Sequence, residues 1–129
     1  MIVADASAVL EVLLGTPAGA RVAARLGAPG ESAHVPHLLD LEIAQVLRRW
    51  VRRRELDIRR AREALDDFAD LPLFRYPHQP FLSRIWTLRD RLTAYDAAYV
   101  ALAETLDAPL LTRDRRLAVA GHGATVEVV

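Results

Sequence analysis

Neither cysteine nor lysine occurs in the 129 residues. Without cysteine there is no disulfide, no thiolate nucleophile and no zinc–thiolate centre. Without lysine there is no Schiff base and no phosphate-loop lysine. No apolar run approaches the roughly 18 residues that a membrane span needs. The opening residues lack the basic and apolar regions of a signal peptide, so a cytoplasmic protein is expected. Net charge is also missing. The 17 basic residues, all arginine, are matched by 17 Asp and Glu, so the chain as a whole is not drawn to polyanions. What remains is ordinary for one globular domain over residues 1–129: 52% hydrophobic, 26% charged, and long enough to bury a core.

The chain is organised around its first seven residues. Met1 to Ala4 is a short apolar run, which reads as a strand buried on both faces, as in parallel sheets. Asp5 follows, and a helical pattern starts with Ala8, Val9, Leu13 and Leu14. Thr16 and Pro17 suit the N-cap and first turn of a second helix running to about Leu26. Ser32 to Val35 reads as a strand and Leu38 to Arg54 as a long helix, with Leu39, Ile43, Val46, Leu47 and Trp50 at helical spacing. Ile58 to Ala69 is a further helix, Leu71 to Tyr76 a strand, and Pro80 opens another helix. Thr93 to Leu106 is helical. Pro109 to Thr112 is a strand, a brief helix passes through Leu117 and Val119, and Ala124 to Val129 is the last strand. Strands alternating with helices predict an α/β fold, a three-layer α/β/α sandwich with a mostly parallel sheet of about five strands.

Four acids sit in apolar company. Asp5 ends the first strand. Glu42 lies on or beside the apolar stripe of the long helix. Asp96 is in the first turn of its helix beside Tyr95, Tyr99 and Val100, and Asp114 follows the strand Leu110 to Thr112. Each has an ordinary reading. Asp5 and Asp114 suit helix caps, Thr93 with Asp96 approximates a capping box, and Glu42 suits an ion pair with Arg49 or another arginine. Taken together they mean more, because in a parallel sheet the strand ends and the first helical turns gather at one edge. Two carboxylates about 4 Å apart repel by roughly 4 kcal/mol at an effective dielectric near 20, so a cluster needs protons or a cation. All-oxygen ligands indicate magnesium or manganese, and such ions support hydrolysis of phosphodiesters. Ser7 and Thr112 put hydroxyls beside Asp5 and Asp114, suited either to orienting a water or phosphate or to local backbone bonds.

These motifs resemble the PIN-domain ribonucleases, specifically the VapC-type toxins of bacterial toxin–antitoxin pairs. The matching pieces are Ile2-Val3-Ala4-Asp5-Ala6-Ser7, Leu39-Asp40-Leu41-Glu42-Ile43 with Val46-Leu47-Arg48-Arg49, Leu92-Thr93-Ala94-Tyr95-Asp96-Ala97-Ala98-Tyr99, and Leu110-Leu111-Thr112-Arg113-Asp114-Arg115-Arg116-Leu117. They occur in the family's order and span the chain. The resemblance implies a magnesium- or manganese-dependent endoribonuclease in which Asp5, Glu42, Asp96 and Asp114 are the catalytic acids and metal ligands. It implies an RNA substrate, a cognate antitoxin and a homodimer. Thr112 matches the hydroxyl residue before the last acid. Arg115 and Arg116 stand where some relatives carry a further acid, which leaves a second ion site without that ligand.

Eight arginines crowd between Arg48 and Arg62, on what reads as a helical hairpin. They form either a solvated face with local ion pairs or an electrostatic track for RNA phosphates. Trp50 is the only aromatic residue among them, which points to backbone binding rather than base readout. Arg113, Arg115 and Arg116, beside the last acid, are better placed to hold the scissile strand. His34, His37, His78 and His122 form no constellation. Two alternatives compete with the nuclease. One is a catalytically inactive PIN-fold interaction module whose acids meet a partner's arginines. The other is a phosphatase with Asp5 as nucleophile, weakened because Ser7 occupies the second place of an Asp-x-Asp pair.

Overall fold

The computed structural model describes residues 1–119 and 121–129. Five parallel strands form one sheet: β1 (Ile2–Ala4), β2 (Ala33–Pro36), β3 (Leu73–Tyr76), β4 (Leu110–Thr112) and β5 (Val126–Val128). The order across the sheet is β3-β2-β1-β4-β5. β1 is therefore central, paired with β2 at Val3↔His34 and with β4 at Ala4↔Leu111. Its residues are wholly buried, as an apolar run flanked on both faces should be.

The helices are α1 (Ala6–Leu13), α2 (Pro17–Leu26), α3 (Leu38–Arg52), α4 (Ile58–Asp70), α5 (Leu82–Thr87) and α6 (Ala94–Leu106). α6 is the most enclosed: Ala97 to Ala103 are all buried. It packs on β1, β2 and β4. α1 lies against α2, α3, α4 and β4. The core joins Val3, Val9, Leu39, Ile43, Leu47, Tyr99, Leu102 and Leu111. The α/β sandwich expected from the alternation of strands and helices is the observed one.

Several boundaries differ from the sequence reading. The third strand starts at Leu73 rather than Leu71, because Leu71 caps α4 and Pro72 has no N–H to give a ladder. The helix expected from Pro80 begins as a 3-10 turn, Gln79–Phe81, before α5. The brief helix before the last strand is also 3-10, Arg115–Val119. Among the described residues no helix is long and apolar enough to cross a membrane.

Because every strand runs the same way, their carboxyl ends share one edge. The chain works outward from β1 through β2 to β3, then returns to the other side of β1 for β4 and β5. The order reverses between β1 and β4, and in open α/β sheets ligands bind in the crevice at such a point.

Candidate active site

Asp5 is the first residue after β1 and lies at that crevice. It is 7% exposed. Its Oδ1 accepts from the Ala8 N–H at 3.0 Å, so it does cap α1, and also from Ser7 Oγ at 2.6 Å. Its Oδ2 accepts from Thr112 Oγ1, at the end of β4, at 2.5 Å. Both hydroxyls are in turn held by backbone N–H groups that follow β4. Ser7 Oγ accepts from the Arg113 N–H at 2.9 Å, and Thr112 Oγ1 from the Asp114 N–H at 2.9 Å. Each hydroxyl has one proton, committed to Asp5, so the 3.4 Å approach of Ser7 Oγ to Thr112 Oγ1 is a contact without a hydrogen bond. Ser7 and Thr112 therefore act on the carboxylate.

Glu42 projects from the second turn of α3 and is half-buried. Its Oε1 accepts from the hydroxyl of Tyr99, one turn beyond Asp96 on α6, at 2.7 Å. It does not pair with Arg49. Tyr99 enters the sequence reading only as an apolar neighbour of Asp96, without a role of its own. Its position at i+3 from Asp96 was the available signal, since that spacing puts both on one helix face. Asp96 is half-buried at the start of α6, where its backbone N–H donates to the Thr93 cap at 3.2 Å. Cap and site thus coincide at Asp96, as they do at Asp5.

The three acids feel one another. Burial raises the Asp5 carboxyl above its usual range, against the pull of Ser7, Thr112 and Ala8. Burial raises Glu42 too, and the charges of Asp5 and Asp96 push it further. Asp96 is raised by burial, then by Asp5 and Asp114. Tyr99 is held strongly in its neutral form by burial and by the Glu42 charge, so it stays a donor. Asp114 behaves differently. Arg116 holds it below the usual range, through a fork from Nε and Nη2 at 3.0 and 2.7 Å. Among the described residues no three acids stand close enough, as placed, to hold an ion.

Of the three arginines read as substrate contacts, only Arg115 has no hydrogen bond or ion pair from its guanidinium among the described residues. Arg113 reaches Glu11 at 3.4 Å and the Val129 carbonyl. Arg116 lies on Asp114, with 87% of its side chain exposed.

The pattern of the PIN domain matches residues 2–123. The chain belongs to the PIN-domain family. This PIN domain is 45% identical to ribonuclease VapC12 of Mycobacterium tuberculosis, over all of this chain and 99% of that protein. It is 48% identical to ribonuclease VapC1 of the same organism, over 92% of this chain and 89% of that protein. In fold it resembles the crystal structure of PAE2754 from Pyrobaculum aerophilum, with a TM-score of 0.66 at 22% identity, covering 97% and 87% of the two chains.

Proposed function

We propose that this PIN domain is a metal-dependent endoribonuclease, the toxin of a VapC-type toxin–antitoxin pair. The observation that supports the reading is that Asp5, Glu42, Asp96 and Asp114 lie near the switch point of the sheet, near enough for Glu42 and Asp96 to be shifted by the charges of neighbouring acids. The ribonuclease names of its relatives support the same conclusion. The donor set is all oxygen, with Asp5 buried and the other three acids partly so, which fits magnesium or manganese. Asp5, Glu42, Asp96 and Asp114 would hold the ion. Bound there, it lowers the pKa of a water and offsets charge on the phosphate.

The rest follows from the chain's own side chains. Three donors already occupy most of the lone pairs of Asp5, so it has room for about one further bond, from Oδ2. Tyr99 fixes Glu42 through Oε1, and Oε2 accepts no hydrogen bond from the described residues. Arg113, Arg115 and Arg116 put positive charge beside the acids, where the phosphates of a cut strand would lie. In this reading the toxin is a cytoplasmic homodimer, and exposed Leu82 and Trp86 supply apolar surface for a second copy. A small antitoxin inhibits it.

A second reading is an inactive interaction module. It is favoured by Arg116, which already closes Asp114 as a partner's arginine would. Cleavage of a pool of transfer and ribosomal RNA separates the two. The enzyme gives discrete fragments with magnesium or manganese and none with chelator. Asp96→Asn should cost more than the ~10–100-fold that loss of a supporting residue costs. Intact RNA in every arm, from folded protein free of antitoxin, would favour the module.

A further inference from the structure

α3 carries more than Glu42. Arg49 and Arg53 follow it at seven and eleven residues, two and three turns on, so the three share a face. At 1.5 Å per residue, Arg49 lies about 10 Å and Arg53 about 16 Å along the axis from Glu42. A groove of about 570 Å³ runs beside Glu42 and Arg49, a size suited to a small ligand, and Arg53 lies beyond its end. Glu42, Gln45 and Arg49 of α3 line it together with Tyr95 at the start of α6, and Leu38 and Val46 add apolar surface. Tyr95 adjoins Asp96, yet its side chain is left 66% exposed. Trp50, the aromatic residue that sequence reading placed among the arginines, is half-buried against the core and cannot serve as a stacking face.

The arginines of this helix are also free of local partners. Of the eight between Arg48 and Arg62, Arg60 pairs with Glu63 and Arg62 with Asp66. Arg48, Arg49, Arg52, Arg53, Arg54 and Arg59 are exposed and make no ion pair among the described residues. Glu55 and Asp57 lie among them and leave them unpaired. Outside the hairpin, Arg25 pairs with Glu31, Arg75 with Asp40 and Arg84 with Glu104, while Arg21, Arg89, Arg91 and Arg115 make no ion pair among the described residues. Local ion pairs thus account for only two of the eight, and six guanidinium groups face solvent without a paired acid among the described residues.

We propose that the α3 groove is a subsite for a nucleotide next to the scissile phosphate of single-stranded RNA. Its base stacks on Tyr95, its phosphate lies on Arg49, and the strand continues over Arg53 toward the hairpin. The inference rests on the ribonuclease reading and adds to it a direction for the substrate. An unpaired base is required because only a splayed base offers its face to a ring. Arginine suits the phosphates, since its planar fork donates two hydrogen bonds at once. The Gln45 amide, in the same groove, can donate to and accept from a base edge. The track also explains how a chain of zero net charge holds a polyanion: the positive charge is local.

Anisotropy of a short fluorescein-labelled single-stranded RNA of mixed sequence tests this, with the full chain in an Asp96→Asn background so that RNA is not cut. Arg49→Ala and Arg53→Ala should each weaken binding and lower the slope of log affinity against log salt by about 0.7. Tyr95→Ala should weaken binding roughly tenfold with the slope unchanged, and Tyr95→Trp should restore it. Arg21→Ala, on exposed α2, should change neither. The subsite is overturned if Arg49→Ala and Tyr95→Ala bind like their parent, or if the parent binds no RNA at any salt. It is also overturned if affinity falls only in step with a loss of dimer mass in ultracentrifugation, which would make this face a contact between copies. Cleavage by the unmutated chain is scored separately. If it cuts RNA while the variants bind normally, the subsite alone fails. If the anisotropy series behaves as expected but nothing is cut with metal, the nuclease reading fails and the groove stands as an RNA-binding site.

Discussion

Thr112 is fully buried, and its one hydroxyl joins two acids: it donates to Asp5 and accepts from the Asp114 N–H. Valine has nearly the same shape and no hydroxyl. Thr112→Val leaves Asp5 Oδ2 and the Asp114 N–H without their partner, where unpaired polar groups cost about 1–3 kcal/mol each. The expected outcome is a lower urea midpoint and a loss of cleavage of the ~10–100-fold size seen when a ligand's support is removed. Thr112→Ser should recover most of both. If Thr112→Val cut RNA at the wild-type rate, the hydroxyl would not be orienting Asp5. At this scale much was legible, because Asp5, Glu42, Asp96 and Asp114 are the wrong residue type for their apolar neighbourhoods. The ordinary readings were legible too, and three of them hold beside the site: Asp5 caps α1, Thr93 caps α6 at Asp96, and Asp114 accepts from the Arg116 N–H. The fourth, Glu42 with Arg49, was not the pairing found. Tyr99 takes that carboxylate from a different helix, and no pattern local to α3 could announce it.

Among the elements, the crossing of α1 and α2 is the tightest. Thr16 caps α2 by accepting from the Gly19 N–H at 3.0 Å, and Gly19 faces the backbone of α1. A Cβ at Gly19 would come within 2.0 Å of the Glu11 carbonyl oxygen. Helix propensity favours alanine over glycine there by about 1 kcal/mol. The clash involves backbone, which cannot rotate away, and overpacking costs about 1–3 kcal/mol. Gly19→Ala should therefore destabilise the fold, read as a lower urea midpoint with an unchanged slope; a higher midpoint would show that the helices can separate. Thr16 and Pro17 announced the start of α2, whereas Gly19 looked like any glycine in a helix, since its reason lies in another element. The same division holds for the sheet. Short apolar runs flanked by Pro, Gly and Asp marked β1, β2 and β4. Their order across the sheet, which decides that Asp5 meets Thr112 rather than Tyr76, depends on which helices cover which face and is not written in any one segment.

For the molecule as a whole, the acids make stability depend on pH. Asp5, Glu42 and Asp96 have raised pKa values through burial and then, for Glu42 and Asp96, through the charges of neighbouring acids, Asp5 first among them. A carboxyl raised in the folded state holds its proton more tightly there than in the unfolded chain. It therefore contributes stability that is full below the unfolded value of about 4 and is lost as pH rises through the folded value. Asp114 has the opposite sign: held low by Arg116, it contributes above about 4 and loses that contribution as pH falls, but its partner is exposed and the effect is small. His34 is also opposite to the three acids. Burial lowers its pKa, so its contribution is lost as pH falls through the histidine range, and it masks the acids in a simple melting profile. The difference between Asp96→Asn and wild type removes His34, which is common to both. In chelator, Asp96→Asn should melt a few degrees higher than wild type at neutral pH, at roughly 4 °C per kcal/mol for a chain of this size. The gap should close as pH falls and the Asp96 carboxyl of the wild type takes up its proton. Manganese at neutral pH should reverse the order, because a ligand at about a hundred times its dissociation constant adds about 2.7 kcal/mol to the wild type and far less to a variant missing an acid. Differential scanning fluorimetry across pH, with and without manganese, reads all three. A variant never more stable than wild type in chelator would mean that the acids do not repel in the fold. An order that manganese leaves unchanged would mean that they hold no ion.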